Sequence, residues 1–165
     1  MYNLRARKRS KTKKVVKKAV KKEFKVYVFD LDDTLYLRTN DDLDYKREYH
    51  IKVKNYLTEL KKRNKILCLA THNSNPKLYL SRIGIENLFD HIVYELKDLH
   101  SCYNTISEYT SKKEMITEIM RKTGYKKNKI IFFDDSDYNI DQVNSIGVRS
   151  IKVSKMTGLD MTFCY

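Results

Sequence analysis

The feature that most constrains this chain is a short apolar run that ends in a row of carboxylates. Val26-Tyr27-Val28-Phe29 is followed directly by Asp30-Leu31-Asp32-Asp33-Thr34. Such a run predicts a strand buried on both faces of a parallel sheet, and these sheets bind ligands outside the carboxyl ends of their strands. Asp30 and Asp32 are two residues apart, so in an extended segment both side chains point toward one substrate atom. The alternative is an ordinary acidic turn, because Asp is common in turns.

Further apolar runs alternate with segments of helical periodicity along the rest of the chain. This alternation predicts right-handed crossovers and a three-layer α/β domain around a mostly parallel, five-stranded sheet. The segment from Glu95 to Thr110 has no clear period and is predicted to be a loop. The predicted strands cover residues 26–29, 66–70, 89–94, 129–133 and 148–153, and the predicted helices cover about 45–62, 77–82, 112–123 and 136–145.

Local signals fix the ends of two of these helices. Pro76, the only proline, suits the first position of a helix that Asn75 would cap. Ser111 is followed three residues later by Glu114, which is the pattern of a capping box. Gly124 is suited to end the same helix.

The net charge of +13 is concentrated in the first 22 residues. They hold eleven of the 34 Lys and Arg residues and no acid, whereas the remaining 23 basic residues face 21 acidic ones. A block of like charge predicts a disordered or partly helical arm over residues 1–22, ahead of one domain over residues 23–165. The arm could contact nucleic acid, bind an import receptor for nuclear targeting, anchor the protein to an anionic surface, or simply aid solubility.

Cysteine and histidine usage exclude several classes of protein. The three cysteines are odd in number and widely spaced, which argues against a disulfide framework or a thiolate zinc site and predicts a reducing compartment. The four histidines lack metal-binding spacing. No run approaches the about 18 consecutive apolar residues that a membrane span requires. The sequence therefore predicts a soluble, intracellular protein.

Polar side chains follow three of the predicted strands and should meet at one edge of the sheet. A cluster of carboxylates repels itself unless a cation is present, and oxygen ligands favour a hard ion such as Mg²⁺. The metal would in turn attract a phosphate. The clustered residues are Asp30, Asp32 and Thr34 after the first strand, Thr71 after the second, and Asp134 and Asp135 after the fourth.

These residues resemble the four motifs of the haloacid dehalogenase superfamily. Asp30-Leu31-Asp32-Asp33-Thr34 is similar to its DxDxT motif, and Thr71 to its second motif. Lys112, at the start of a helix, resembles the third motif. Phe132-Phe133-Asp134-Asp135, together with Asn139, resembles the acidic fourth motif. The spacing between these last two is particularly similar to that of the small magnesium-dependent phosphatases. The resemblance covers about residues 24–157 and implies a Rossmann-like, three-layer α/β/α domain.

The resemblance also implies an activity, the hydrolysis of a phosphate monoester with Mg²⁺ as cofactor. It assigns Asp30 as the nucleophile that forms an aspartyl-phosphate and Asp32 as the general acid and then the base. Such proton transfer is commonly worth about 10²–10⁴ in rate. The implied metal ligands are the Asp30 carboxylate, the Asp32 backbone carbonyl and the Asp135 carboxylate.

The remaining site residues would bind phosphate or support the cluster. The implied phosphate contacts are Thr71, Lys112 and the backbone N–H groups of Leu31 and Asp32, and Lys112 would also orient Asp30. His72 and Asn73 follow Thr71 and could also touch the substrate, with His72 as a further phosphate contact. Thr34 would fix the turn, Asp134 would contact Lys112 or a metal-bound water, and Asn139 would bond to the acidic cluster. Three alternatives stay open: Lys113 could replace Lys112, Asp33 is better suited to a turn, and His72 and Asn73 could simply be exposed.

The intervals between motifs leave little room for a cap over the site. There are 36 residues between Thr34 and Thr71 and 40 between Thr71 and Lys112, and the predicted elements use most of them. An open site favours a phosphate carried on a large molecule, such as a phosphoprotein. The alternatives are a polynucleotide phosphatase guided by the basic arm and a non-catalytic nucleic-acid-binding protein on the same scaffold.

Overall fold

Five parallel strands form the central sheet of the computed structural model, which describes residues 23–95 and 109–164. The expectations for the arm, and for the loop over residues 96–108, lie outside the described residues. The strand order is β3-β2-β1-β4-β5, so β1 lies in the middle. This confirms the predicted sheet. The strands are β1 Val26–Phe29, β2 Ile66–Thr71, β3 His91–Tyr94, β4 Ile130–Asp134 and β5 Arg149–Lys152.

In the part of the chain that the structure describes, four α-helices lie between the strands, close to their predicted positions. The first begins at Leu43, two residues earlier than predicted, because the Asp42 side chain caps it by accepting from the Tyr45 N–H at 2.9 Å. Within the described ranges, no helix is long and apolar enough to cross a membrane. The helices are α1 Leu43–Lys62, α2 Pro76–Arg82, α3 Lys112–Thr123 and α4 Asp137–Ser145.

The predicted capping residues are confirmed for α3 and only in part for α2. Ser111 and Glu114 form the expected capping box at the start of α3, and Gly124 ends this helix with a left-handed φ of 71°. Asn75 occupies the cap position of α2, but its side chain makes no capping hydrogen bond. The Asn75 amide N–H instead donates to the Asn73 side chain at 2.9 Å, so this segment is ordered as a loop beside the strand end.

The sheet separates two apolar cores, which gives the three layers. Alternate residues of β1 point to opposite faces. Tyr27 and Phe29 pack in one core with the buried face of α1, whereas Val26 and Val28 pack in the other core with α3 and α4. The buried residues of α1 are the five that its periodicity predicts: Tyr49, Val53, Tyr56, Leu57 and Leu60.

The register of β1 brings the polar strand ends together. Phe29 is level with Leu69 of β2 and with Phe133 of β4. The amide of Asp30 donates to the Phe133 carbonyl at 2.9 Å, which holds the first acidic residue beside the end of β4. Because all four strand pairs are parallel, the residues that follow β1, β2 and β4 lie at one edge of the sheet.

Candidate active site

The turn after β1 is held by its own backbone and by Asp33. The Leu31 carbonyl accepts from the amides of Leu35 and Tyr36, each at 2.9 Å. Asp33 has a left-handed φ of 54°, and its carboxylate accepts from the Arg38 amide at 2.7 Å and from the Thr39 amide and hydroxyl. Partial burial alone would raise the pKa of Asp33, but these hydrogen bonds outweigh it and hold the pKa below its usual value. Asp33 therefore acts as the turn acid.

Thr34 takes part in this turn through its backbone, because its amide donates to the Leu31 carbonyl at 3.3 Å. The side chain is fully buried, and its Oγ1 has no hydrogen-bond partner among the described residues. The backbone carbonyl of Thr34 instead accepts from the Tyr49 hydroxyl, which also accepts from the Leu159 amide at 2.8 Å. The turn is thus attached to α1 through main-chain atoms.

Asp30 is buried against Lys112, the first residue of α3. The Lys112 side chain is fully buried and its ammonium donates to the Asp30 carboxylate, to the Ala70 carbonyl at 2.5 Å and toward Asp134 at 3.4 Å. Lys113 is exposed. The choice between the two lysines is therefore settled by helix phase, and the side chain of Lys112 reaches the carboxylates.

Asp32 is held from two sides by residues of different loops. Asn73, in the loop after β2, donates its side-chain amide to both Asp32 oxygens at 3.2 and 3.0 Å. Arg38 approaches one of them at 3.2 Å. The Asn73 amide N–H donates to the Thr71 hydroxyl oxygen at 3.1 Å, which leaves the hydroxyl hydrogen of Thr71 available for another acceptor.

The two acidic residues at the end of β4 have different surroundings. Asp134 is fully buried, accepts two bonds of 3.0 Å from the Asn139 side chain, and faces Lys112. Asp135 is only partly buried, and Lys155 lies 3.4 Å from it. Asn139 thus bonds to Asp134, which in turn lies beside the Lys112 ammonium.

The carboxylates of Asp30 and Asp135 suit a bound cation. Burial raises the pKa of both groups above the usual value, and the negative charge of Asp134 adds to the rise, although Lys112 opposes it at Asp30. A divalent cation would favour the ionised forms. No three His, Cys, Asp or Glu side chains group as a metal site within residues 23–95 and 109–164. Backbone oxygen and water would therefore have to complete the coordination of a hard ion such as Mg²⁺.

An open cavity of about 450 Å³ lies over these strand ends. Six predicted site residues line it, whereas Lys112, Asp134 and Thr34 lie beneath its surface. His72 lines the cavity, but its Nδ1 lies 3.1 Å from a carboxylate oxygen of Glu95. The predicted lining residues are Asp30, Asp32, Thr71, His72, Asp135 and Asn139, and the others are Asp33, Arg38, Asn73, Ser74, Asn75 and Tyr79.

Comparison with known protein families identifies the chain at the family level. The family model described as acid phosphatase matches residues 37–164. The chain belongs to the acid phosphatase family. This makes it a phosphatase, as the sequence motifs predict. The matched range includes Thr71, Lys112 and the acidic end of β4, and it begins just after the turn that carries Asp30 and Asp32.

Solved structures confirm the haloacid dehalogenase-like fold of this phosphatase. A haloacid dehalogenase-like family hydrolase from Streptococcus pneumoniae aligns with a TM-score of 0.59 and 13% identity over 82% of this chain and 87% of that one. A putative phosphatase from Clostridium difficile aligns with a TM-score of 0.61 and 21% identity, over 84% of this chain and 88% of that one.

A third similar structure is the N-terminal part of a Bacteroides fragilis protein with a phosphatase domain in complex with Mg. It gives a TM-score of 0.66 and 16% identity, over 87% of this chain and 40% of that one. At these identities the likeness concerns the fold alone. A search of curated proteins finds no significant match.

The cavity of the phosphatase contains three residues whose roles the sequence did not predict. Arg38 and Asn73 hold Asp32, and Tyr79 of α2 forms part of the wall. From the sequence, Asn73 is expected only to be a loop residue that could touch the substrate or be exposed. Arg38 carried one signal, a basic residue in an otherwise acidic and neutral segment beside the first motif. Tyr79 carried none, because one aromatic residue on a short helix usually packs in the core.

Proposed function

We propose that this phosphatase hydrolyses phosphate monoesters in an Mg²⁺-dependent reaction through an aspartyl-phosphate on Asp30. One observation carries the proposal: a buried carboxylate, held by a buried lysine, lines the same cavity as Asp32, Thr71 and Asp135. A nucleophile needs an oriented oxygen and a nearby acid or base, and this arrangement supplies both.

In the first step, an Asp30 oxygen forms a bond to phosphorus while the bond from phosphorus to the ester oxygen breaks. Asp32 gives its proton to the departing oxygen. In the second step, Asp32 takes a proton from a water molecule whose oxygen bonds to phosphorus, and the bond to Asp30 breaks to release inorganic phosphate. Asn73 supports this role because its two hydrogen bonds keep the Asp32 carboxylate at the cavity.

Phosphate binding is assigned to groups around Asp30. The Thr71 hydroxyl and the backbone N–H groups of Leu31 and Asp32 would donate to phosphate oxygens, and His72 would contribute from the rim. Lys112 lies behind Asp30 and would neutralise charge that develops on the carboxylate and the phosphoryl group. The burial of Lys112 strengthens this effect, because a charge out of contact with water is weakly screened.

The metal ligands in this proposal are the Asp30 and Asp135 carboxylates and the Asp32 backbone carbonyl. They fit Mg²⁺ because all are hard oxygen donors and because both carboxylates are shifted toward the neutral form without a cation. When bound, the ion would supply positive charge that shields an anionic nucleophile from an anionic substrate.

We further propose that the phosphate is presented on a large substrate, most simply a phosphoprotein. The cavity is open, and the residues described between β1 and β2 form one loop and α1 rather than a cap. An open site cannot exclude water from a small ligand by itself. Comparing turnover of a phosphopeptide, a 3′-phosphorylated oligonucleotide and small sugar phosphates tests this, and a strong preference for the sugars would contradict it.

The central experiment uses the variant Asp30→Asn with a small aryl phosphate. We expect wild type to hydrolyse it with Mg²⁺ and not with EDTA, and the variant to lose about 1,000-fold or more in kcat. Acid-quenched wild type should carry one phosphoryl group by mass spectrometry. Asp137→Asn is the control, because Asp137 is exposed and outside the cavity. An aryl phosphatase activity that survives in Asp30→Asn would refute the mechanism.

A second candidate is a polynucleotide phosphatase guided by the basic arm. The eleven Lys and Arg residues in residues 1–22 favour it. Its signature would be nucleic-acid binding that weakens steeply with salt and loses that dependence when the arm is deleted. If wild type binds nucleic acid but hydrolyses no phosphate monoester, the non-catalytic alternative holds instead.

A further inference from the structure

The leaving-group side of the cavity is lined by one positively charged side chain, that of Arg38, among the described residues. Among the described residues that line the cavity, Arg38 is the only Lys or Arg, whereas four are Asp. Arg38 lies next to Asp32, the residue that the proposed function makes the proton donor to the departing oxygen. The buried Lys112 instead contacts Asp30 and the Ala70 carbonyl, and Thr71, to which phosphate binding is assigned, lies at the end of β2. Arg38 is therefore placed beside the part of the substrate that leaves.

The backbone of Arg38 is fixed while its side chain is accessible. Its amide donates to Asp33 at 2.7 Å, and its carbonyl accepts from the Lys46 ammonium at 3.3 Å. The side chain is 54% exposed and reaches Asp32 through a single nitrogen. A guanidinium has five N–H donors in a planar fork, so one contact leaves most of them for another acceptor.

Asp32 does not depend on Arg38 for its position. Asn73 donates to both of its oxygens, and the Asn73 backbone is bonded to Thr71. The guanidinium can therefore turn from Asp32 to a ligand without releasing the carboxylate. Tyr79, which also lines the cavity, supplies a wall on which a side chain of the substrate can pack.

We propose that Arg38 is a specificity-determining residue that binds an acidic side chain next to the phosphorylated residue of a phosphoprotein. This inference rests on the proposed function. The guanidinium would pair with a carboxylate on the leaving-group side while the phosphate occupies the strand ends. The substrate class is then a phosphorylated segment with an adjacent Asp or Glu.

The charge around the cavity favours a peptide over a polynucleotide. A nucleic-acid strand carries a phosphate at every nucleotide and needs a basic track along its path. The described lining offers one arginine among Asp30, Asp32, Asp33 and Asp135. A peptide backbone is neutral, so a single carboxylate beside the phosphate matches a single guanidinium.

The test compares pairs of phosphopeptides that differ only in Glu or Gln beside the phosphorylated residue, on either side. For wild type, kcat/KM should favour Glu about fivefold on one side, near the upper end for a solvent-exposed ion pair. Arg38→Gln should bring the ratio close to one, and Arg38→Glu should invert it. Arg47→Gln is the matched control, because Arg47 is exposed on α1 and does not line the cavity, so it should keep the wild-type ratio.

Two results would overturn the inference. The first is a wild-type kcat/KM ratio, Glu peptide over Gln peptide, that lies within twofold of one on both sides of the phosphorylated residue. A ratio that Arg38→Gln leaves unchanged would count in the same way. The second is a 3′-phosphorylated oligonucleotide that is turned over faster than the acidic peptide, with the advantage lost in Arg38→Gln. Aryl phosphate hydrolysis by wild type distinguishes failure of the proposed function from failure of this inference. If wild type does not hydrolyse the aryl phosphate, the proposed function is refuted. If it does, but the kcat/KM ratio of Glu to Gln peptides is close to one, only the role of Arg38 is refuted.

Discussion

Replacing Lys112 by methionine should be among the most damaging single changes in this protein. The substitution keeps an unbranched side chain of similar length but removes a fully buried charge. It leaves the carboxylates of Asp30 and Asp134 and the Ala70 carbonyl, all near the Lys112 ammonium, without that partner. Removing one member of a buried ion pair typically costs about 3–5 kcal/mol. We expect a loss of that size in the free energy of unfolding.

Urea denaturation followed by circular dichroism, with EDTA present so that no divalent ion compensates, measures this loss. Lys113→Met is the matched control, because it makes the same chemical change at an exposed neighbour and should alter stability by less than about 0.5 kcal/mol. The double variant Lys112→Met/Asp134→Asn should recover about 1 kcal/mol or more, since it removes one unpaired buried charge. Equal losses for Lys112→Met and Lys113→Met would refute the reasoning.

Three further predictions concern stability. Gly158→Ala should lower the free energy of unfolding by about 2–4 kcal/mol, because Gly158 has a φ of 73° and a Cβ there would lie 2.2 Å from the Tyr49 ring. Gly124→Ala is the control, since Gly124 has a similar φ but open space around it, and it should lose about 1–2 kcal/mol in the same urea assay. Tyr49→Phe should lose about 1–3 kcal/mol, because its hydroxyl joins two backbone groups; an unchanged midpoint would contradict this. Burial alone would raise the pKa of Asp90, but bonds from Lys61 outweigh it and lower the pKa. Its stabilisation is therefore present above the unfolded pKa near 3.9 and is lost as pH falls through the folded value, so wild type should exceed Asp90→Asn in stability at pH 7 and converge with it near pH 2.

The elements that the sequence predicts well depend on short-range signals. Helix α3 is an example, because the hydroxyl of Ser111, the carboxylate of Glu114 and the backbone freedom of Gly124 act within a few residues of their own positions. The strands are equally easy to predict from short stretches of sequence, since a buried central strand has to be apolar on both faces. The observed start of helix α1 differs by two residues from the predicted one, because its cap, Asp42, lies outside the apolar pattern on which the prediction depends.

The parts of the site that the sequence did not predict depend on loop conformation. The contact between Asn73 and Asp32 joins residues 41 positions apart through two irregular segments, and no periodicity specifies it. Arg38 depends on the turn that Asp33 forms, which brings its side chain back toward the first motif.

The central position of β1 has a consequence for how activity appears as the chain folds. Its neighbours in the sheet start about 40 and about 100 residues further along, with Val26 level with Ile66 and with Ile130. Pairings of such sequence separation form slowly, because the intervening chain has to be ordered first. The carboxylates of Asp30 and Asp135 can meet only after β1 pairs with β4, and Thr71 joins them only after β1 pairs with β2, so no fragment that lacks β4 holds the site. Catalysis would therefore report the joining of β1, β2 and β4, and a chain without both pairings would be inert rather than weakly active.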